Sequence, residues 1–265
     1  MRKNILILKG NIIYTKTPEA FTVCEHSYLV CRDGIVDGIY RTLPFRLGGN
    51  PIRDFGDCLI IPGLTDLHVH APQYPLRGFG MDQELLDWLE ENTFPEEARY
   101  EDMDYAGRAY WIFAENLKRS ATTRACVFAT VHRPATMKLM DLLEQTGLET
   151  FVGKVNMDRN CPGYLCEETQ ESLDETEDWL RDVAGRNYQH TRPVLTPRFI
   201  PACSDALMEG LKKIQAESRL PVQSHLSENL QEAAWVAELR PDAGFPPNVF
   251  QVLLQSDCGR SYAHK

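Results

Sequence analysis

From about residue 62 onward the chain repeats one pattern: a short apolar or β-branched run, then a longer stretch with helical spacing. Residues 123–130 read as a strand and 136–146 as a helix, followed by a strand over 151–157 and a helix over 168–184. The pattern continues with a strand over 194–198, a helix over 205–218, a strand over 220–225 and a helix over 228–239. A helix between two strands returns the chain to its starting end, so the strands pair in parallel and the helices cover them. There is no internal repeat beyond this alternation and no low-complexity tract.

Residues 1–61 obey a different rule. Short β-rich runs at 5–8, 11–14, 27–31, 34–40 and 58–61 are punctuated by turn signals, among them Asp33-Gly34 and Asp37-Gly38. Such spacing predicts a small antiparallel sheet or one half of a sandwich, with the boundary to the second region at 61/62. A chain of 265 residues with 43% hydrophobic content can bury a sizeable core. The formal net charge of −10 argues against a nucleic-acid backbone or an anionic membrane as partner. No apolar run reaches the length of about 18 residues that a membrane span needs. The apolar run at 5–8 is also too short for a secretory signal. The eight cysteines contain no Cys-x-x-Cys pair and are scattered, which predicts reduced thiols in a cytoplasmic protein rather than a disulfide framework.

The candidate chemistry begins in residues 61–70. Apolar residues flank a Pro62-Gly63 turn, and the following strand ends in His68-Val69-His70. Alternate strand residues project to one side, so His68 and His70 can share one divalent metal. His225, at the end of the run 220–225, could add a third nitrogen. Three protein ligands and an open position are the usual layout of a catalytic zinc site, where a bound water ionises near pH 7. Glu228, three residues further on, could carry protons beside such a site, although it also suits a helix start.

These residues lie in segments that resemble a known family. Pro62-Gly63-Leu64-Thr65-Asp66-Leu67-His68-Val69-His70-Ala71 is similar to the opening signature of the amidohydrolase superfamily. Gln73-Tyr74, Thr93-Phe94-Pro95-Glu96, Phe128-Ala129-Thr130-Val131-His132, Thr196-Pro197-Arg198-Phe199 and Ser224-His225-Leu226-Ser227-Glu228-Asn229 follow in the order found in the guanine deaminase family. The resemblance runs from about residue 5 to the end. It implies an α/β fold, a (β/α)8 barrel preceded by the β-rich segment, with site residues at the C-terminal ends of the strands. It further implies zinc held by His68, His70 and His225, proton transfer by Glu228, and guanine contacts from Gln73, Arg198, Phe199 and His225. The implied reaction is hydrolysis of guanine to xanthine and ammonia, and the family is typically dimeric. His132 ends the second predicted strand without an assigned role.

A complete barrel takes about 250 residues, so the chain is expected to hold strands one to about six over 62–265. His264 matches the family's histidine at the end of strand six. The family's eighth-strand aspartate, a metal ligand and proton acceptor, has no counterpart, so this chain alone is expected to be inactive. Two other readings are an amidohydrolase acting on a different aminated heterocycle, and a non-catalytic form that pairs with a full-length protein.

Overall fold

The computed structural model describes residues 4–241, and the chain divides between Gly63 and Leu64 into two compact units. The first holds strands β1 (Ile5–Thr17), β2 (Ala20–Arg32), β3 (Ile35–Tyr40) and β4 (Ile52–Ile60) in one sheet of order β3-β2-β1-β4. The runs expected separately at 5–8 and 11–14 are one strand, with a register shift between Gly10 and Ile12 where a turn was expected. Gly10 fits there because a Cβ would meet the Cys58 carbonyl at 3.1 Å. The Asp33-Gly34 turn joins β2 to β3 with both residues at positive φ, 52° and 84°, which matches the twist of a tight hairpin. The sheet is not wholly antiparallel, since β4 pairs parallel to β1. The segment 41–51 makes this possible by carrying the chain back to the starting end before β4 begins. Ile7, Val30 and Leu47 form the buried centre of this unit.

The second unit starts with β5 (Leu64–His70), whose last residue is one of the candidate ligands. The stretch 71–121 carried no element expectation, yet it is mostly helical. Helix α1 (Leu85–Trp88) widens into a π turn over Leu89–Thr93, and α2 (Phe94–Ala98) and a 3-10 turn follow. Pro95 and these changes of winding erase the regular 3.6-residue period that would signal a helix. Helix α3 (Met103–Lys118) then begins at Asp102, whose carboxylate accepts from the backbone N–H groups of Asp104 and Tyr105.

Strand β6 (Thr122–Phe128) leads into α4 (Arg133–Glu144), which starts earlier than expected because Pro134 suits a first helical turn. Strands β7 (Glu149–Gly153) and β8 (Val155–Asn156) are one run broken at Lys154 and are followed by α5 (Thr169–Arg186). Strands β9 (Thr191–Pro193) and β10 (Thr196–Pro197) are likewise one broken run, followed by α6 (Asp205–Ser218) and finally α7 (Leu230–Leu239). The sheet order is β5-β6-β7-β9, all parallel, with β8 and β10 continuing it as a parallel pair. Gly153 permits that continuation, since a Cβ there would fall 1.7 Å from Thr196 Oγ1.

This is the first half of a (β/α)8 barrel, with Val127, Val152, Tyr110, Leu139, Met140 and Trp179 sealed between sheet and helices. The strand expected over 220–225 is reduced to one parallel bridge, Leu195 to Val222. Leu195 donates to the Pro221 carbonyl and accepts from the Gln223 N–H, but the next donor on that edge would be Pro197, which has no N–H, so the ladder stops there. The sixth strand and His264 lie outside the described residues.

Candidate active site

His68 and His70 leave the end of β5 on one side of the strand, as alternation requires. His225 comes from the bridged segment, held in place by its backbone N–H donating to the Arg198 carbonyl at 2.9 Å. The ligand nitrogens of His68, His70 and His225 all lie within 4.8 Å of one another. The ring of Phe128, at the end of β6, supports all three imidazoles at centroid distances of 4.9, 4.5 and 4.6 Å.

The protonation state of the triad suits a divalent metal. Burial pushes His225 down to about 4, and the Arg198 charge and His68 add to this against a backbone hydrogen bond. His70 lies well below the ordinary histidine range, first through burial and then through the positive fields of His225 and Arg198. His68 is lowered by burial, with Asp66 opposing. The rings are therefore neutral at neutral pH. His225 Nδ1 sits 2.6 Å from the Arg198 carbonyl, which can only accept, so Nδ1 carries the proton and Nε2 keeps its lone pair. That Nε2 faces His70 Nε2 at 2.8 Å. Gln73 Nε2 donates to His70 Nδ1, so the His70 proton sits on Nε2 and points at the His225 Nε2 lone pair; His68, His70 and His225 are together the side chains that would hold a divalent cation.

The structure gathers the other described candidates around the triad. His68, His70, Gln73, Arg198, Phe199, His225 and Glu228 line one cavity of about 280 Å³, with Leu85, Trp88 and Leu89 as its apolar wall. Gln73 Nε2 lies 3.0 Å from His70 Nδ1. Arg198 follows β10 directly and is only 2% exposed, and Phe199 beside it is also buried. Glu228 is exposed at the cavity's edge, one residue before the N-cap Asn229 rather than in the first turn of the helix. Partial burial and the neighbouring Glu232 carboxylate push Glu228 above the ordinary carboxylate range, while Arg198 opposes them. His132 does not join this cavity. It is the N-cap residue of α4, beyond the end of β6, with its Nε2 buried and lacking a partner among the described residues.

Glu97 was not legible as a site residue. It is 1% exposed, and its carboxylate receives Arg198 Nη1 at 2.5 Å, Arg198 Nη2 at 3.2 Å and Gln73 Nε2 at 2.9 Å. An acidic pair after a proline reads as the solvated start of a helix. In the structure both Glu96 and Glu97 are buried, on a short helix that follows the π turn.

With this geometry in place, comparison with known proteins is specific. The amidohydrolase family model matches residues 59–243, and the chain belongs to that family. Within the family it is similar to guanine deaminases. It is 39% identical over 190 residues to the guanine deaminase of Dictyostelium discoideum, covering 72% of this chain and 42% of that protein. It is 41% identical over 183 residues to the guanine deaminase of Homo sapiens, covering 68% of this chain and 40% of that protein. The crystal structure of guanine deaminase from C. acetobutylicum, with bound guanine in the active site, matches with a TM-score of 0.88 and 46% identity. That match covers 94% of this chain and 59% of the other. The chain thus spans less than half the length of these curated relatives. No helix among the described residues is long and apolar enough to cross a membrane.

Proposed function

We propose that the protein built from this chain hydrolyses guanine to xanthine and ammonia with a zinc ion at the triad. The observation that carries this reading is the single cavity in which the His68, His70 and His225 nitrogens meet Gln73, Arg198, Phe199 and Glu228. The guanine deaminases to which the chain is similar support the choice of ring.

Zinc bound at His68, His70 and His225 supplies Lewis acidity and a water that ionises near neutral pH. The chain's own residues do the rest. Arg198 offers N–H donors to a ring oxygen, Gln73 offers a side-chain amide, and Phe199 gives an apolar face against a flat heterocycle. Glu228, exposed and raised in pKa, takes a proton from the attacking water onto its carboxylate and returns it to the departing amino group. Ammonia leaves poorly unless it is protonated, so this transfer belongs to the difficult step. Leu85, Trp88 and Leu89 shield the cavity from bulk water.

The test uses zinc-loaded chain and a chimera in which it replaces the matching segment of the C. acetobutylicum enzyme, both assayed for xanthine and ammonia. Guanine turnover by the chimera, lost on chelation and restored by zinc, is the expected result. A folded, zinc-loaded chimera that leaves guanine intact while deaminating another heterocycle would overturn the substrate assignment.

A further inference from the structure

Gln73 and Arg198 meet on one buried carboxylate, and this fixes more than their positions. A carboxylate only accepts, so the amide of Gln73 must turn its NH2 end toward Glu97. The reverse orientation would set the Gln73 oxygen against a buried anion. Gln73 Oε1 is therefore the end left over, and it has no partner among the described residues and is not sealed from the cavity. The same Glu97 oxygen that receives Gln73 also receives Arg198 Nη2, so the two side chains are neighbours. A guanidinium has five N–H donors, and the pairing with Glu97 leaves others free for a ligand.

We propose that Glu97 is a specificity-determining positioning residue: it holds donors from Arg198 beside an acceptor from Gln73, and so selects rings with a carbonyl oxygen next to a ring N–H. The inference rests on the guanine reading above and deepens it. Guanine presents that order on its O6 and N1–H edge, and hypoxanthine presents the same edge without the 2-amino group. Adenine presents the opposite order, an amino donor beside a bare ring nitrogen. Glu97 touches neither ring; it acts through Gln73 and Arg198. If it were an amide, the Gln73 amide could face either way and Arg198 would lose its counter-charge.

Equilibrium dialysis of zinc-loaded protein against guanine, hypoxanthine, 2-aminopurine and adenine tests this without relying on turnover. The wild type should bind guanine and hypoxanthine at least roughly ten- to a hundredfold more tightly than adenine and 2-aminopurine, the scale of an unpaired buried polar group. In Glu97→Gln, with zinc content intact, that preference should shrink by about tenfold or more. In turnover assays of the chimera KM for guanine should rise more than kcat falls, and Glu97→Asp should restore part of the preference. If Glu97→Gln does not fold, Gln73→Leu serves in its place, because it removes the acceptor and leaves Glu97 paired with Arg198. Wild-type preference in either folded variant overturns the inference and leaves the guanine reading standing. Failure of zinc-loaded wild type to bind guanine overturns both.

Discussion

Two glutamates act on the same cavity, one in its lining and one behind it, and the fold treats them in opposite ways. Glu97 sits behind the floor that Gln73 and Arg198 make, sealed from water, with its carboxylate occupied by those two side chains. Glu228 stands on the exposed rim, and only its backbone N–H is held, donating to Glu232 at 2.6 Å. A carboxylate fixed by three N–H donors cannot pick up a proton without breaking the geometry around it. One on the rim, with its pKa raised, can. The difference assigns the floor to binding and the rim to proton traffic, and each assignment fails in its own way when broken.

The largest effect should come from the metal ligands. His68→Ala with His70→Ala should abolish stoichiometric zinc, measured by metal analysis after dialysis, because a single remaining imidazole cannot hold the ion. Full zinc content in that double variant would dismantle the floor as described. Next is Arg198→Ala, which leaves Glu97 as a buried charge without its counter-ion. A stability loss of about 3–5 kcal/mol is expected in denaturant unfolding. Arg198→Met with Glu97→Gln, which removes both charges, should recover most of that stability and none of the guanine binding. Unchanged stability in Arg198→Ala would mean that the pair is not sealed as the structure places it.

The rim should break differently. In the chimera, Glu228→Gln should keep zinc and guanine binding while lowering kcat by roughly 100-fold or more, the scale of lost acid–base help. Glu228 must be ionised to accept a proton, so activity should rise with pH through its raised pKa. Glu232→Gln removes one cause of that elevation and should move the acidic limb of the kcat profile to lower pH. A limb that stays in place, or a Glu228→Gln enzyme near full speed, would take the proton traffic away from the rim.

How much of this the sequence shows follows the same division. The triad, Gln73, Arg198, Phe199 and Glu228 sit in local motifs, and the strand–helix alternation explains why residues so far apart converge. Strand alternation alone was enough to place His68 and His70 on one side. Glu97 stayed hidden because its partners are at positions 73 and 198, far along the chain, and no local pattern shows them. The strand at 220–225 was over-read for a related reason. Its composition is right for a strand, but a ladder also needs donors on the neighbour, and Pro197 has none to follow Leu195. In the first unit the turn chemistry at Asp33-Gly34 was readable, whereas the parallel pairing of β4 with β1 depends on where a loop delivers the chain.

The smallest expected effect probes how the rim is held at all. Asn229 caps α7 by accepting from the Glu232 backbone N–H at 2.8 Å, and the buried Glu232 carboxylate accepts in turn from Ser227 and Glu228 at 3.2 and 2.6 Å. This reciprocal capping bends the chain so that Ser227 takes a left-handed φ of 54° and Glu228 reaches the cavity. Asn229→Ala should cost about 1 kcal/mol, the usual cost of a lost N-cap. In a chain of this size that is a fall of roughly 2–4 °C in Tm. Glu232 still holds Glu228 in this variant, so kcat should fall only a few-fold and zinc content should not change. A kcat loss as large as that of Glu228→Gln would show that the cap sets the geometry of proton transfer. Loss of zinc would show that rim and floor are one coupled unit, and the contrast between the two glutamates would then fail.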